Sequence, residues 1–360
     1  MILECSRSAR LALIATLLLG AAVLWAQPGD PSPRTFATLA GVPQQVGSDD
    51  GTGSDARFYH PFTVAVDGAC RVYVADAFNH TIRKITDGAV VTTFAGQTGI
   101  PASADGPGAA AGFNNPQGVA ADPSGNVYVA DTFNYTIRKI TPDGVVSTIA
   151  GLAGHPGSAD GTGPEARFNQ TAALAVGPSG TIYVADTFNH TIRRIDRDGV
   201  VTTWAGAAGS AGDANGPRLD ARFNHPNGVA VDAGGNVYVG DTFNNRIRMI
   251  SRDGVVTTIA GTGSVGNADG PAAQAEFNAP RGVAVDPVGN VYVADGYNDA
   301  IRLITRDGFV TTLAIGRYPQ SADGFHSPFG VAIVQPDTLY VSDTFNHTVR
   351  VSGSRRGQCP

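Results

Sequence analysis

Long stretches of Ala, Leu, Glu and Lys, the raw material of helices, are missing from this 360-residue chain, and aromatic residues make up only 8% of it. A helical architecture is therefore set aside at the outset. Positive charge is also in short supply. Against 31 Asp and Glu stand 25 Lys and Arg, a formal charge of −6, so the chain lacks the basic face that phosphate backbones require, and nucleic acid is excluded as a partner. No Gly-x-Ser-x-Gly, His-Glu-x-x-His or phosphate-binding loop occurs. No catalytic residue, metal ligand or cofactor is assigned. Past residue 26 no run is apolar enough to cross a bilayer. What the chain has in excess is turn formers, 46 Gly and 22 Pro, and these make short strands joined by many turns the starting expectation.

Residues 1–26 stand apart. Arg7 and Arg10 precede an uncharged apolar run from Leu11 to Trp25, and Ala26 offers a small residue for cleavage. That pattern reads as a secretory signal peptide, so the mature protein is expected to be secreted or periplasmic, with no membrane association beyond the cleaved segment. Its removal takes away two arginines and Glu4, turning −6 into −7. Residues 27–34, with three prolines, read as a flexible mature N-terminus.

The remaining length would ordinarily imply two domains, but an internal repeat overrules that. NVYVADTFNYTIRKI at Asn126 to Ile140 returns in six variants whose aspartates are Asp76, Asp131, Asp186, Asp241, Asp295 and Asp343. In the second copy four short β-branched and aromatic runs follow one another: Gly118 to Asp122, Asn126 to Asp131, Thr136 to Ile140 and Val145 to Ala150. Turn residues separate them, so one copy makes a four-stranded antiparallel meander. Apolar residues on both faces, as at Val127, Tyr128 and Val129, require cover on both sides, which radial packing of blades supplies. The sixth copy stops after its third strand, at Val351. The missing piece stands at the other end of the chain, where ATLAG at Ala37 to Gly41 matches STIAG at Ser147 to Gly151. The expected fold is an all-β, six-bladed β-propeller over residues 35–351, closed by the N-terminal strand completing the last blade, with 352–360 as a C-terminal tail.

The segment Asp-x-x-Asn-His-x-Ile-Arg, preceded by Pro-x-Gly-Val-Ala-Val-Asp and Gly-Asn-Val-Tyr-Val-Ala, resembles the NHL repeat in all six copies. Two departures are the Thr, Ala or Arg that takes the third place of the triplet, with Ile or Val following, and the long connecting loops. The resemblance implies an interaction platform in most cases. In a few relatives it implies a metal-dependent lyase or a sensor, and in related six-bladed propellers a lactone hydrolase.

Residues shared by every copy are assigned to packing. Asp131 and its counterparts are expected to bind backbone N–H groups of their own hairpins, and Arg138 and its counterparts to pair with carboxylates at blade boundaries. The Asn-x-Thr triplets at Asn79, Asn134, Asn189 and Asn346 match a glycosylation acceptor but fall in tight hairpins and read as turn formers. In the loops between blades, Asp-Gly followed by small residues and Phe reads as a capped turn, with Phe113 and its equivalents plugging the blade boundary. Function is sought where copies differ on one face, at the mouth of the channel. Before the Pro of Pro-x-Gly the copies carry His60, Asn115, Gln170 and His225. The hairpin tips carry His80, Tyr135, His190, Asp299 and His347, and Arg281 adds a cation. These ten are the candidate binding residues for a protein, peptide or glycan held by a monomer. The alternative is a lyase or lactone hydrolase whose metal is held in the channel by residues such as His60 and His225. Cys70 and Cys359 are candidates for a disulfide pinning the tail beside blade one.

Overall fold

A computed structural model describes residues 32–316, 324–334 and 338–353. The expected signal peptide, residues 27–31, Cys359 and residues 354–360 lie outside the described residues. Six antiparallel sheets form six blades. In blade 2 the strands run Pro116–Ala121, Val127–Asp131, Thr136–Ile140 and Val145–Gly151 from the channel outwards. The inner strands of all six blades contact one another in a closed circuit, the last (Pro328–Val334) against the first (Pro61–Val66).

The ring closes through its N-terminal strand. Phe36–Ala40 pairs with Thr348–Ser352 of blade 6, Thr38 opposite Arg350 and Ala40 opposite Val349. Thr148 and Ala150 lie in the same way opposite Arg138 and Ile137, with a bulge at the same place. Gly41 and Gly151 both take φ of +90°, and a Cβ would come within 2.7 Å of His347 O at the first and 2.4 Å of Tyr135 O at the second. Only glycine fits both demands. Ahead of this strand, the Arg34 N–H donates to Leu313 O (2.7 Å) and the Arg34 guanidinium lies over Tyr292.

Blades 1 to 5 hold five strands where four were expected. The Asp-Gly loop from one blade runs to the outer edge of the next and adds a two-residue strand there, as Gly106–Pro107 does against Val145 and Val146. Two residues are too few to leave a periodic signature in the sequence, yet they cap an edge that would otherwise be open. The loop aspartate caps no helical turn. Asp105 Oδ1 instead accepts from Arg138 (2.7 Å) and from the Thr148 hydroxyl (3.0 Å).

An apolar cluster fills each seam between blades. At the blade 1/2 seam, fully buried Phe113 packs among Tyr73, Ala75 and Ile82 on one side and Val119, Val127 and Ile140 on the other. That is the plug expected of it, contributing about 1.5–3 kcal/mol. Above it lies a buried ion pair. Arg138 donates to Asp131 Oδ2 (2.7 Å) and to the carbonyls of Gly112 and Ala104, with its guanidinium 5.1 Å from the Phe113 ring centroid. Contrary to the expectation, Asp131 does not serve its own hairpin backbone but reaches back to the inbound loop, where its Oδ1 accepts from the Asn114 N–H (2.7 Å). Seventeen residues separate the two, beyond what turn chemistry predicts. The Asn134 amide completes the group on Oδ2. Asn79, Asn134, Asn189 and Asn346 are all buried and bonded to their aspartates, so in the folded protein they serve as turn and seam residues. Cys70 is disulfide-bonded; its expected partner, Cys359, lies outside the described residues.

Candidate functional site

Each second-to-third-strand hairpin ends in one 3-10 turn followed by a left-handed residue, as in Thr132–Asn134 and Tyr135 (φ +60°). Sequence dictates where the four side chains go. Thr132 turns inward and donates to Thr171 O of the next blade (2.8 Å), and Asn134 turns inward to Asp131. The Phe133 N–H is bound by Asn114 O (3.0 Å), which leaves its ring facing out. The same happens in every blade. Phe78, Phe133, Phe188, Phe243, Tyr297 and Phe345 are between 39% and 58% exposed, one per blade, around one mouth of the channel. Scattered exposed apolar residues need no explanation, but six aromatics set in a ring form a patch of the kind that marks an interaction surface.

The residues singled out from sequence lie between these rings. His60, Asn115, Gln170, His225, Ala279 and Ser327 all have φ between +47° and +52°, and the hairpin tips have φ between +52° and +60°. In five of the six seams the two sets are joined. The N–H of Asn115 donates to His80 Nδ1 (3.0 Å), that of His225 to His190 Nδ1 (3.2 Å) and that of His60 to His347 Nδ1 (3.2 Å). Asn245 Oδ1 and Asp299 Oδ1 accept in the same way from Ala279 and Ser327. Only the Tyr135–Gln170 seam lacks such a strap, since tyrosine has no acceptor on a short stem. The tip residues are thus seam fasteners whose outer edges face the mouth.

His60 packs edge-to-face between Phe78 and Phe345, with ring centroids 4.5 and 4.9 Å away, and His225 lies between Phe188 (edge-to-face) and Phe243 (tilted) at 5.1 and 4.6 Å. These make two aromatic arcs on opposite sides of the mouth, in the 6/1 and 3/4 seams. His60 and His225 are therefore not brought together. Among the described residues no three His, Cys, Asp or Glu side chains converge where they could hold a metal ion. Arg281 lies in the 5/6 seam, over the Phe329 ring at 3.8 Å and beside Tyr297 at 5.3 Å.

The straps make the seams sensitive to acid. A histidine accepts at Nδ1 only while neutral. Burial holds His80 and His190 below the ordinary 6.5, and burial with His60 and His326 nearby takes His347 down to about 4. The folded pKa lies below the unfolded one, so this stability is complete above 6.5 and is lost as pH falls towards 4. Asp76, Asp131, Asp186 and Asp241 act in the opposite sense. Pushed up to about 6 chiefly by burial, they take up protons in the folded chain before the unfolded chain does. A comparison with His347→Asn cancels them, because asparagine at Asn245 shows that an amide makes the same strap. The variant is expected to match the parent at pH 7.5 and to exceed it by about 2 kcal/mol at pH 5 in urea unfolding. Equal stability at both pH values would refute the strap's proton linkage.

A cavity of about 610 Å³ opens on the opposite face, between blades 4 and 5. Its carboxylates are spent within their hairpins: Asp232 accepts from Asn236 and Tyr238, and Asp286 from Asn290 and Tyr292. The functional reading stays with the aromatic mouth. Sequence reasoning found the straps' residues but missed the aromatics, although a Phe or Tyr stands before the Asn in all six copies.

Comparison with known proteins agrees with the architecture. The NHL repeat family matches at residues 113–140 and 223–248. The chain is 30% identical over 277 residues to protein SUPPRESSOR OF QUENCHING 1, chloroplastic, of Arabidopsis thaliana, covering 72% of this chain and 26% of that protein. It is 30% identical over 296 residues to NHL repeat-containing protein 2 of Bos taurus, covering 72% and 40%. The chain thus spans less than half the length of either relative. Among solved structures, an auxiliary nutrient binding protein from Bacteroides ovatus shares the fold with a TM-score of 0.65 at 16% identity, over 89% of this chain and 77% of that one.

Proposed function

Because this chain is an NHL-repeat six-bladed β-propeller, a scaffold suited to binding, we propose that it is an extracytoplasmic binding platform that holds a glycan on the aromatic mouth of its channel. The observation that carries this reading is the ring of six half-exposed aromatics interleaved with polar side chains. Sugar rings offer apolar C–H faces that lie flat on aromatic rings, and a rim of hydroxyls that needs donors and acceptors between them. Half-buried His80, Gln170 and His190 provide these between the rings. Peptides and protein loops also use aromatic patches, but one part-exposed aromatic per blade around a polar mouth matches a chain of sugars better. Export rests on the N-terminal sequence pattern and on a disulfide-bonded Cys70, which fits an oxidising compartment. Among the described residues no helix is long and apolar enough to cross a membrane.

The test starts from protein recovered outside the cytoplasm, with Gln27 as its first residue. In a panel of neutral and acidic oligosaccharides, at least one binds. Phe78→Ser combined with Phe345→Ser lowers its affinity at least tenfold while the protein still unfolds cooperatively, at a melting temperature only a few degrees lower, since both rings are partly in water. A panel without a binder, or a serine variant that binds as the parent does, would overturn the reading.

A further inference from the structure

Blade 5 departs from the other blades at three points, and all three meet at one guanidinium. In the Pro-x-Gly position the blades carry Phe62, Gln117, Ala172, Asn227, Arg281 and Phe329, so Arg281 is the one charged residue of that ring. The hairpin below it reads Gly296-Tyr297 where four blades have Thr-Phe. A Cβ at Gly296 would lie 3.1 Å from Arg281 Nε and 3.2 Å from its Cδ, so glycine is what leaves room for the side chain. That room has a cost. In blades 2, 3, 4 and 6 the threonine ties its hairpin to a carbonyl of the next blade at 2.7 to 2.8 Å, and the 5/6 seam gives up the tie.

The guanidinium so accommodated is stacked but not neutralised. Phe329 lies under it at 3.8 Å, and the Tyr297 ring lies beside it at 5.3 Å. Every repeated core arginine, by contrast, has a carboxylate. No carboxylate among the described residues pairs with Arg281. Its Nε and the Ser327 hydroxyl of the same seam are buried without a hydrogen-bond partner. A largely desolvated cation without a counter-charge is costly unless something supplies one, and the planar fork of arginine matches a carboxylate with two parallel bonds.

We infer that Arg281 is the anchor for a carboxylate of the bound glycan, making the platform a receptor for uronic-acid-bearing saccharides whose ring lies against Tyr297 and Phe329. This rests on the glycan-platform reading and adds the charge of the ligand to it.

Calorimetric titration with tetragalacturonate and with its fully methyl-esterified form separates the two claims, since the sugar body is the same and only the charge differs. The parent protein is expected to bind the acid at least tenfold more tightly than the ester, with a preference that shrinks as salt is added. Arg281→Met should bind both at the level of the ester. Gly296→Thr offers a second variant that is safe for the fold, because it restores the tie present in four blades. It should melt at or above the parent temperature while losing at least tenfold on the acid and little on the ester. Equal binding of acid and ester by the parent, or acid binding by Gly296→Thr that matches the parent, would overturn the inference and leave the platform standing. Binding of neither would overturn the inference, and a panel without any binder would overturn the platform as well.

Discussion

Asp131→Ala is expected to destabilise the propeller by about 3–5 kcal/mol, while Asp105→Asn, which changes the other carboxylate on the same arginine, costs less than about 1 kcal/mol. The two aspartates differ in what they leave behind. Asp131 is fully buried and accepts from the Asn114 N–H, the Asn134 amide and Arg138, so its removal strands three donors, one of them charged, in a dry seam. Asp105 is half exposed, and water can stand in for it. The chain itself carries the control: in blade 4 the loop position is Asn215, whose Oδ1 accepts from Arg248 at 2.7 Å in the same way. Urea unfolding of the two variants checks the pair. Equal effects would mean that the arginine is held by charge from either side rather than by the buried carboxylate. Exchange of both Asp131 and Arg138 for Leu and Met should cost less than Asp131→Ala alone, because no buried charge is then left unpaired and half-exposed Asp105 is solvated.

Repetition made the architecture legible. Six copies gave the blade count, and the match of Ala37 to Gly41 with Ser147 to Gly151 gave the closure, because register and glycine conformation repeat with the sequence. What stayed hidden was contact between segments of different copies. The straps from His80 to Asn115 and from His190 to His225 span 35 residues and join two positions that looked independent. The two-residue edge strands were too short to carry any alternation. The aromatics were hidden by a rule of inference rather than by distance. A residue common to all copies was taken to pack, yet the turn spends its Thr and Asn inside and turns the Phe between them to solvent. Recurrence in a closed ring therefore serves two purposes, since a residue repeated six times on a rim makes a surface as readily as a core. Arg281 was visible as a cation, but its meaning depended on Gly296 and Tyr297, fifteen and sixteen residues further on, departing together from the repeat.

That dual use links stability to binding. The inbound loop of each blade is fixed from below by the buried aspartate and from the side by a neighbour's hairpin tip, and the aromatic ring sits on the same turn. A platform built in this way presents its aromatics at positions set by seam geometry, so a ligand meets a rigid surface and loses little affinity to ordering.

Removal of residues 32–41 is expected to do more damage than any single substitution outside the buried pairs. The strand Phe36–Ala40 contributes Leu39 and Ala40 to the 6/1 cluster, where they pack with Phe58, Val349 and Val351. It also covers the edge of Thr348–Ser352. Without it, blade 6 presents an open edge and blade 1 loses part of its cover, so both faces of the 6/1 seam are wetted at once. A fall in melting temperature of about 5–8 °C follows from a loss of roughly 3–5 kcal/mol in a propeller of this size. The bare edge should also recruit a strand from another chain, giving dimers in size-exclusion chromatography that the parent does not form. A synthetic peptide of residues 32–46 added to the truncated protein should restore the melting temperature and return it to the oligomeric state of the parent. This outcome separates loss of a specific closing strand from general damage. Truncated protein that melts with the parent would show that the ring holds without its latch, since the inner strands already touch in a closed circuit. The expectation rests on the difference between single bonds across the seam, such as those that involve Thr344 and His347, and a continuous strand ladder. Seam contacts resist sliding, whereas the Phe36–Ala40 ladder is the hydrogen-bonded strand pairing, among the described residues, that ties the first part of the propeller to its last.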